Sequence, residues 1–209
     1  MTLFDRLLRA WTGEDAWNCS INGDDAWSNR DPDGAPMPAA TLVAFVDRPR
    51  PTIVLTRRAE ALSTHGGQVA LPGGRIDDGE SPVEAALREA EEEIGLTRGV
   101  PSVVGCGDIY LTGTNFAVTP VVAVIPAGLV WTLDDREVAS VFEVPADTVF
   151  SPENQLAKLG LWQGAMRRYW EIVGHDEIIW GATAGMLVNL GRRLGLDRDP
   201  KLLNDRVGG

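Results

Sequence analysis

The 209-residue chain has little cysteine and little histidine. Two cysteines, Cys19 and Cys106, make no disulfide framework and no metal-ligand pair, so a reducing compartment, the cytosol, is expected. Two histidines, His65 and His175, leave too few imidazoles for a multi-histidine zinc site. Long apolar runs are also missing. None approaches the ~20 residues of a membrane-spanning helix, and Asp5, Arg6 and Arg9 interrupt the stretch where a signal peptide needs its apolar segment. Basic residues are outnumbered, with 19 Lys+Arg against 30 Asp+Glu and a net charge of −11. Such a balance lacks the footprint of a nucleic-acid or anionic-membrane binder. It should also repel phosphorylated small molecules unless something local reverses the field.

The charge is unevenly laid out. Residues 39–73 hold two acids and four bases, whereas residues 74–96 hold eight acids and two bases. Twenty-three residues therefore carry more than half of the net charge, directly after a mildly basic segment.

With 44% hydrophobic residues, the chain can bury a real core. Three regions are expected: an N-terminal arm over 1–38, a main domain over 39–197 and a tail over 198–209. Residues 3–11 read as an amphipathic helix, with Leu3, Phe4, Leu7, Leu8 and Trp11 apolar and Thr2 as N-cap. Residues 12–38 read as an irregular arm whose Trp17 and Trp27 pack somewhere. That arm is a candidate lid over the site or a homodimer contact. Strands are expected over 41–47, 52–57, 103–110, 116–125, 137–144, 169–173 and 177–180, and a closing helix over 182–194. Strands dominate the middle, with one helix inserted and one at the end. This predicts a mixed sheet covered by helices, an α/β or α+β sandwich.

The clearest element is a helix over 82–94. Ser81, Pro82 and Glu84 provide N-cap, N1 proline and capping-box glutamate, and Gly95 stands at the C-cap. At ~100° per residue, Val83, Ala86, Leu87, Ala90 and Ile94 form a narrow apolar stripe. Glu89, Glu92 and Glu93 gather on one side of it. Like charges four apart repel, and anions near a helix C-terminus are disfavoured. Stability explains this arrangement poorly; it reads either as a solvated acidic face or as a site for a hard divalent cation that takes oxygen ligands.

Read as a pattern, the segment is Gly74, five residues, Glu80, seven residues, then Arg88-Glu89-Ala90-x-Glu92-Glu93-x-Gly95-Leu96. It resembles the Nudix box, Gx5Ex7REUxEExGU, with Ala90 as the soft departure at the first aliphatic position. The resemblance implies an α/β/α sandwich with a mixed β-sheet and hydrolysis of a nucleoside diphosphate linked to another moiety, with Mg²⁺ or Mn²⁺. On matching positions, it implies Glu89, Glu92 and Glu93 as metal ligands, with the Gly74 carbonyl completing the shell. Glu89, Glu92 and Arg88 are the implied catalytic set, Arg88 orienting a carboxylate and Glu80 structural. The general base is left open among Glu89, Glu137 and Glu153.

The preceding segment, Val54 to Gly74, is similar to the signature of the coenzyme A pyrophosphatase subfamily, LLTxR[SA]x3Rx3Gx3FPGG. Leu55, Thr56, Arg58, Ala59, Gly67, Pro72, Gly73 and Gly74 match, while Val54, Ser63 and Leu71 depart. Phe116-x-Val118-x-Pro120-Val121-Val122 and Ile179-Trp180-Gly181-x-Thr183-Ala184 also resemble it. The implied reaction splits coenzyme A or its derivatives into 4′-phosphopantetheine and adenosine 3′,5′-bisphosphate. Arg57, Arg58, His65 and Gly67 are the candidate substrate contacts, Arg58 through its bidentate fork and Gly67 through close backbone approach. Ser63 removes a cation, which leaves ADP-ribose or another nucleoside diphosphate derivative as the alternative substrate. A non-catalytic nucleotide-sensing module is the remaining alternative, although such modules lose box glutamates that this chain keeps. The partner expected is a small nucleotide, neither nucleic acid nor membrane.

Overall fold

The computed structural model describes residues 1–11, 21–23, 34–62, 64–162 and 164–204. In chain order its elements are α1 (Leu3–Ala10), β1 (Ile21–Gly23), β2 (Met37–Asp47), β3 (Thr52–Arg58), β4 (Val69–Ala70), β5 (Gly73–Arg75) and α2 (Pro82–Ile94). Then come β6 (Ser102–Cys106), β7 (Ile109–Leu111), β8 (Phe116–Pro126), β9 (Val138–Pro145), α3 (Ala146–Phe150), β10 (Gln155–Trp162), β11 (Ala165–Ile172), β12 (Ile179–Trp180) and α4 (Gly181–Arg193). Trp17, Trp27, Cys19 and Ser63 lie outside the described residues.

The main sheet runs β1-β7-β8-β2-β3-β4, with β5 also on β2, β6 on β8 and β9 on β3. It is mixed: β2 and β8 are parallel over their full lengths, and β2 and β3 form the antiparallel hairpin through 48–51. Strand β2 is apolar on both sides, as a strand covered on both faces must be. Ala39, Val43 and Phe45 enter one core with α1 and α4, whereas Ala40, Leu42, Ala44 and Val46 enter the other with α2. The architecture is therefore helix layer, sheet, helix layer, the expected α/β/α sandwich. A second, three-stranded sheet, β10-β11-β12, extends from α4.

Both ends of the molecule add detail. Thr2 and Asp5 cap α1 reciprocally, and Leu3, Leu7, Ala10 and Trp11 are buried. Leu8, placed in the apolar set from sequence, is exposed instead. Within the expected arm, Ile21–Gly23 pairs in parallel with β7. The strand expected over 103–110 is two, because a bulge between Val103 and Gly105 and the turn at Gly107 break its register. In the C-terminal segment Leu203 is buried and the Asn204 amide donates to Asp147. Among the described residues, no helix is long and apolar enough to cross a membrane.

Candidate functional site

The carboxylate helix is held from both ends. The Ser81 N–H donates to Glu84 and the Glu84 N–H donates to Ser81 Oγ, completing the capping box. At the C-terminus Gly95 adopts the left-handed conformation, and the Thr132 and Asp134 amides donate to the last-turn carbonyls of Ile94 and Glu93. The buried face differs from the apolar stripe read on the wheel. Ala85, Ala86, Ala90 and Ile94 are buried, Val83 and Leu87 only partly so, and Glu93 is buried with them at 4% exposure. A carboxylate thus occupies a position against the sheet where an apolar side chain would stabilise the fold more.

Glu93 accepts a hydrogen bond from the Gly73 N–H (3.2 Å), and Arg58 Nη1 stands 4.0 Å from it. Burial nevertheless dominates, and with the nearby charges of Glu89 and Glu137 it pushes the Glu93 pKa up to about 8. Glu89 is pushed in the same direction, first by desolvation and then by Glu92 and Glu137, against the pull of Arg88. Glu137 is exposed and follows the Asp134 turn, and its charge reaches both glutamates. Glu153 follows α3, whose buried residues belong to the core across the sheet from α2. Between the two distant candidates for general base, the fold brings Glu137 to the carboxylates.

Arg88 bridges the loop glutamate and the helix carboxylates. Its Nε and Nη2 donate to the two oxygens of Glu80 (2.9 and 3.0 Å) and its Nη1 to Glu89 (2.9 Å) and Glu92 (3.3 Å). Nη2 also donates to the Arg75 carbonyl, which ties the helix to β5. Glu80 is held below its ordinary carboxyl range by this bidentate pair. The fixed glutamate and arginine of the motif therefore brace loop and helix.

Two glycines allow the loop to lie this close. A side chain on Gly73 would strike the Ala40 carbonyl and Thr41 on β2, and one on Gly74 would strike the Glu89 carboxylate. Among the described residues, no three carboxylate, imidazole or thiol groups are positioned to share one ion. Glu89 and Glu92 are engaged by Arg88, and Glu93 by Gly73 and Arg58. The donor chemistry nonetheless fits a hard divalent ion: carboxylates only, mutually repelling, one of them buried without a full countercharge.

The four substrate candidates separate. On β3, Val54 belongs to the core on the α2 side and Ile53 and Leu55 to the other. The alternation sends Arg58 toward Glu93 and Arg57 to the opposite face, where it pairs with Glu177 and donates to the Gly67 carbonyl. Arg58 Nε is buried without a hydrogen-bond partner among the described residues. The Gly67 N–H donates to the Arg58 carbonyl, and a side chain there would strike Glu60. His65 is exposed, with a positive φ of 60° and its Nδ1 against Gln68 Oε1. Only Arg58 stands at the carboxylates. Cys106 is buried in the core, as a small apolar residue would be.

A feature not foreseen from sequence is a cavity of about 710 Å³ on the Arg57 side, lined by Gly66, Gly67, Gln68, Tyr169, Trp180 and their neighbours. Its far wall is built by β11 and β12 of the small sheet, which overlap the strands expected over 169–173 and 177–180, whereas β10 was not expected.

The NUDIX domain model matches residues 36–168. The Nudix hydrolases NudL of Yersinia pestis (strain Pestoides F) and Yersinia pseudotuberculosis (serotype O:1b), themselves uncharacterized, are 36% identical over 159 residues, 76% of this chain and 80% of theirs. In overall fold, the chain is similar to a MutT protein from Methanosarcina mazei Go1, with a TM-score of 0.52 at 17% identity over 81% of this chain and 99% of that one. A MutT/nudix family protein from Enterococcus faecalis superimposes with a TM-score of 0.50 at 15% identity, over 84% and 70% of the two chains. The matched span contains the carboxylate helix, its glycine loop and the sheet that carries Arg58, and the chain belongs to the Nudix hydrolase family.

Proposed function

We propose that this chain hydrolyses the pyrophosphate bond of coenzyme A or its derivatives, giving 4′-phosphopantetheine and adenosine 3′,5′-bisphosphate. The observation that carries the reading is the approach of Arg58, the cation of the coenzyme A-type signature, to Glu93, the most buried carboxylate of the box. The two motifs thereby meet at one point. Glu89, Glu92, Glu93 and the Gly74 carbonyl are the groups proposed to hold Mg²⁺ or Mn²⁺. Such an ion supplies neutralisation of the diphosphate and acidification of water. Arg58 offers its guanidinium to phosphate oxygens. Arg88 holds Glu89 and Glu92 in place and takes no proton. Glu137, the exposed carboxylate whose charge reaches both Glu89 and Glu93, is proposed as the base that receives the proton of the attacking water. Arg57 and Gly67 shape the loop, and His65 stands at its rim.

The test is a substrate panel with purified protein, comparing kcat/KM for coenzyme A, acyl-coenzyme A, ADP-ribose and other nucleoside diphosphate derivatives. Coenzyme A compounds should lead it by at least about tenfold. ADP-ribose is the second reading, favoured by Ser63 where the signature carries arginine, and a panel led by ADP-ribose would replace the first. For Glu137→Gln, the acidic limb of the pH–rate profile should disappear; an unchanged limb excludes Glu137 as the base.

A further inference from the structure

The cavity of about 710 Å³ lies between the loop after β3 and the strands β11 and β12. Arg57 reaches it from the side of the sheet opposite Arg58, so it is not the cleft of the carboxylates. One loop nevertheless connects the two places. Residues 59–72 leave Arg58, which stands 4.0 Å from Glu93, and return at Gly73, whose N–H donates to Glu93. The middle of that loop, Gly66 to Val69, is cavity wall. The same loop therefore contributes a wall to the cavity and a backbone donor to Glu93.

The lining decides what part of a ligand fits. Its charged groups are Arg57, Glu60, Glu171, Asp176 and Glu177, four acids against one base. The base is already paired with Glu177. A phosphate is repelled there. The rest of the wall is an apolar platform: Trp180 is 44% exposed, Ile178 is 53% exposed, and Tyr169 packs edge-on against Trp180 at 6.1 Å. An exposed indole backed by a half-buried tyrosine, beside carboxylate acceptors, suits an uncharged chain that carries amide or hydroxyl donors.

Resting on the coenzyme A reading, we propose that this cavity receives the uncharged, amide-bearing arm of the substrate, and that the phosphorylated nucleoside lies elsewhere. Trp180 is its platform and a specificity-determining residue, and the acidic rim excludes the phosphate-bearing end.

Calorimetry on the full chain tests this, with pantetheine and adenosine 3′,5′-bisphosphate as separate probes. Wild type should bind pantetheine. Trp180→Ala and Ile178→Glu should each weaken that binding at least tenfold, and Trp180→Phe should restore most of it. The bisphosphate should bind all four proteins alike. With coenzyme A as substrate, Trp180→Ala should raise KM about tenfold and leave kcat within about threefold. No pantetheine binding to wild type, or equal binding by wild type and both disrupting variants, overturns the proposal even if coenzyme A is cleaved. Cavity-dependent pantetheine binding without coenzyme A cleavage supports the cavity assignment and overturns the reaction assigned under Proposed function.

Discussion

Arg58 on β3 and Glu93 on α2 face each other across 4.0 Å, a distance that attracts but makes no hydrogen bond. Their sequence separation hides this pairing. One belongs to a basic strand, the other to an acidic helix, and β5 brings them together. On the proposed function, the paradox of an acidic protein for a polyanionic substrate resolves here, because the eight acids of residues 74–96 include the helix proposed to hold the ion and the four bases of residues 39–73 include the cation beside it.

Glu93→Gln separates function from stability. The amide oxygen can still accept the Gly73 N–H, so the fold should be kept. Hydrolysis should fall by at least about a thousandfold. In EDTA at pH 9 the variant should melt above wild type, because it removes a buried charge with an incomplete partner. Paired activity assays and thermal melts check this; full activity would take Glu93 out of the metal site.

The raised Glu93 pKa sets a pH dependence for the metal-free protein. Its pKa of about 8 lies above the ordinary 4.5, so the folded state holds more protons than the unfolded state between these values. Its contribution to stability is complete below pH 4.5 and is lost as pH rises toward 8, with a limiting slope of about 1.4 kcal/mol per pH unit. Divalent ions need the carboxylate ionised, so binding should release a proton near pH 7 and tighten as pH rises. Calorimetry in buffers of different ionisation enthalpy measures that release. Binding without proton release would show that Glu93 is already ionised.

Arg88→Lys should cost about 2 kcal/mol of stability, since an ammonium cannot satisfy Glu80 with two parallel bonds while also reaching Glu89 and the Arg75 carbonyl. Activity should fall with it, and KM for Mg²⁺ should rise, because Glu89 and Glu92 lose their common anchor. Urea denaturation and Mg²⁺ titration of rates read the two effects. A stability loss with an unchanged Mg²⁺ dependence would confine Arg88 to holding the loop.

Gly74→Ala places a methyl group against the Glu89 carboxylate, whereas Gly99→Ala meets nothing within 4 Å. Activity should drop at least tenfold in the first and stay near wild type in the second. Circular dichroism should show both folded. Equal activities would mean that Glu89 moves aside without consequence.

Much of this was legible from local sequence. Helix α2 was readable at both ends because its caps are local chemistry, and a structural role for Glu80 was legible only through the family resemblance. Residues joined by tertiary contact were harder. Glu93 looked like the flank of an acidic face, and its burial follows only from the closeness of β5, which Gly73 and Gly74 permit. Arg57 and Arg58 looked equivalent until strand alternation put them on opposite faces. Strand β10 was missed because Gln155-Leu156-Ala157-Lys158-Leu159 mixes residues that favour helices. The wall residues Tyr169, Glu171, Ile178 and Trp180 do lie on strands expected from sequence, but their approach to the loop after β3 is a tertiary contact.

The central claim is that this site cleaves the pyrophosphate of coenzyme A. Incubating the purified chain with coenzyme A and Mg²⁺ and identifying products by mass spectrometry tests it most directly. The account predicts 4′-phosphopantetheine and adenosine 3′,5′-bisphosphate in equal amounts, with neither formed by Glu93→Gln. Intact coenzyme A, beside efficient cleavage of ADP-ribose by the same preparation, would contradict it.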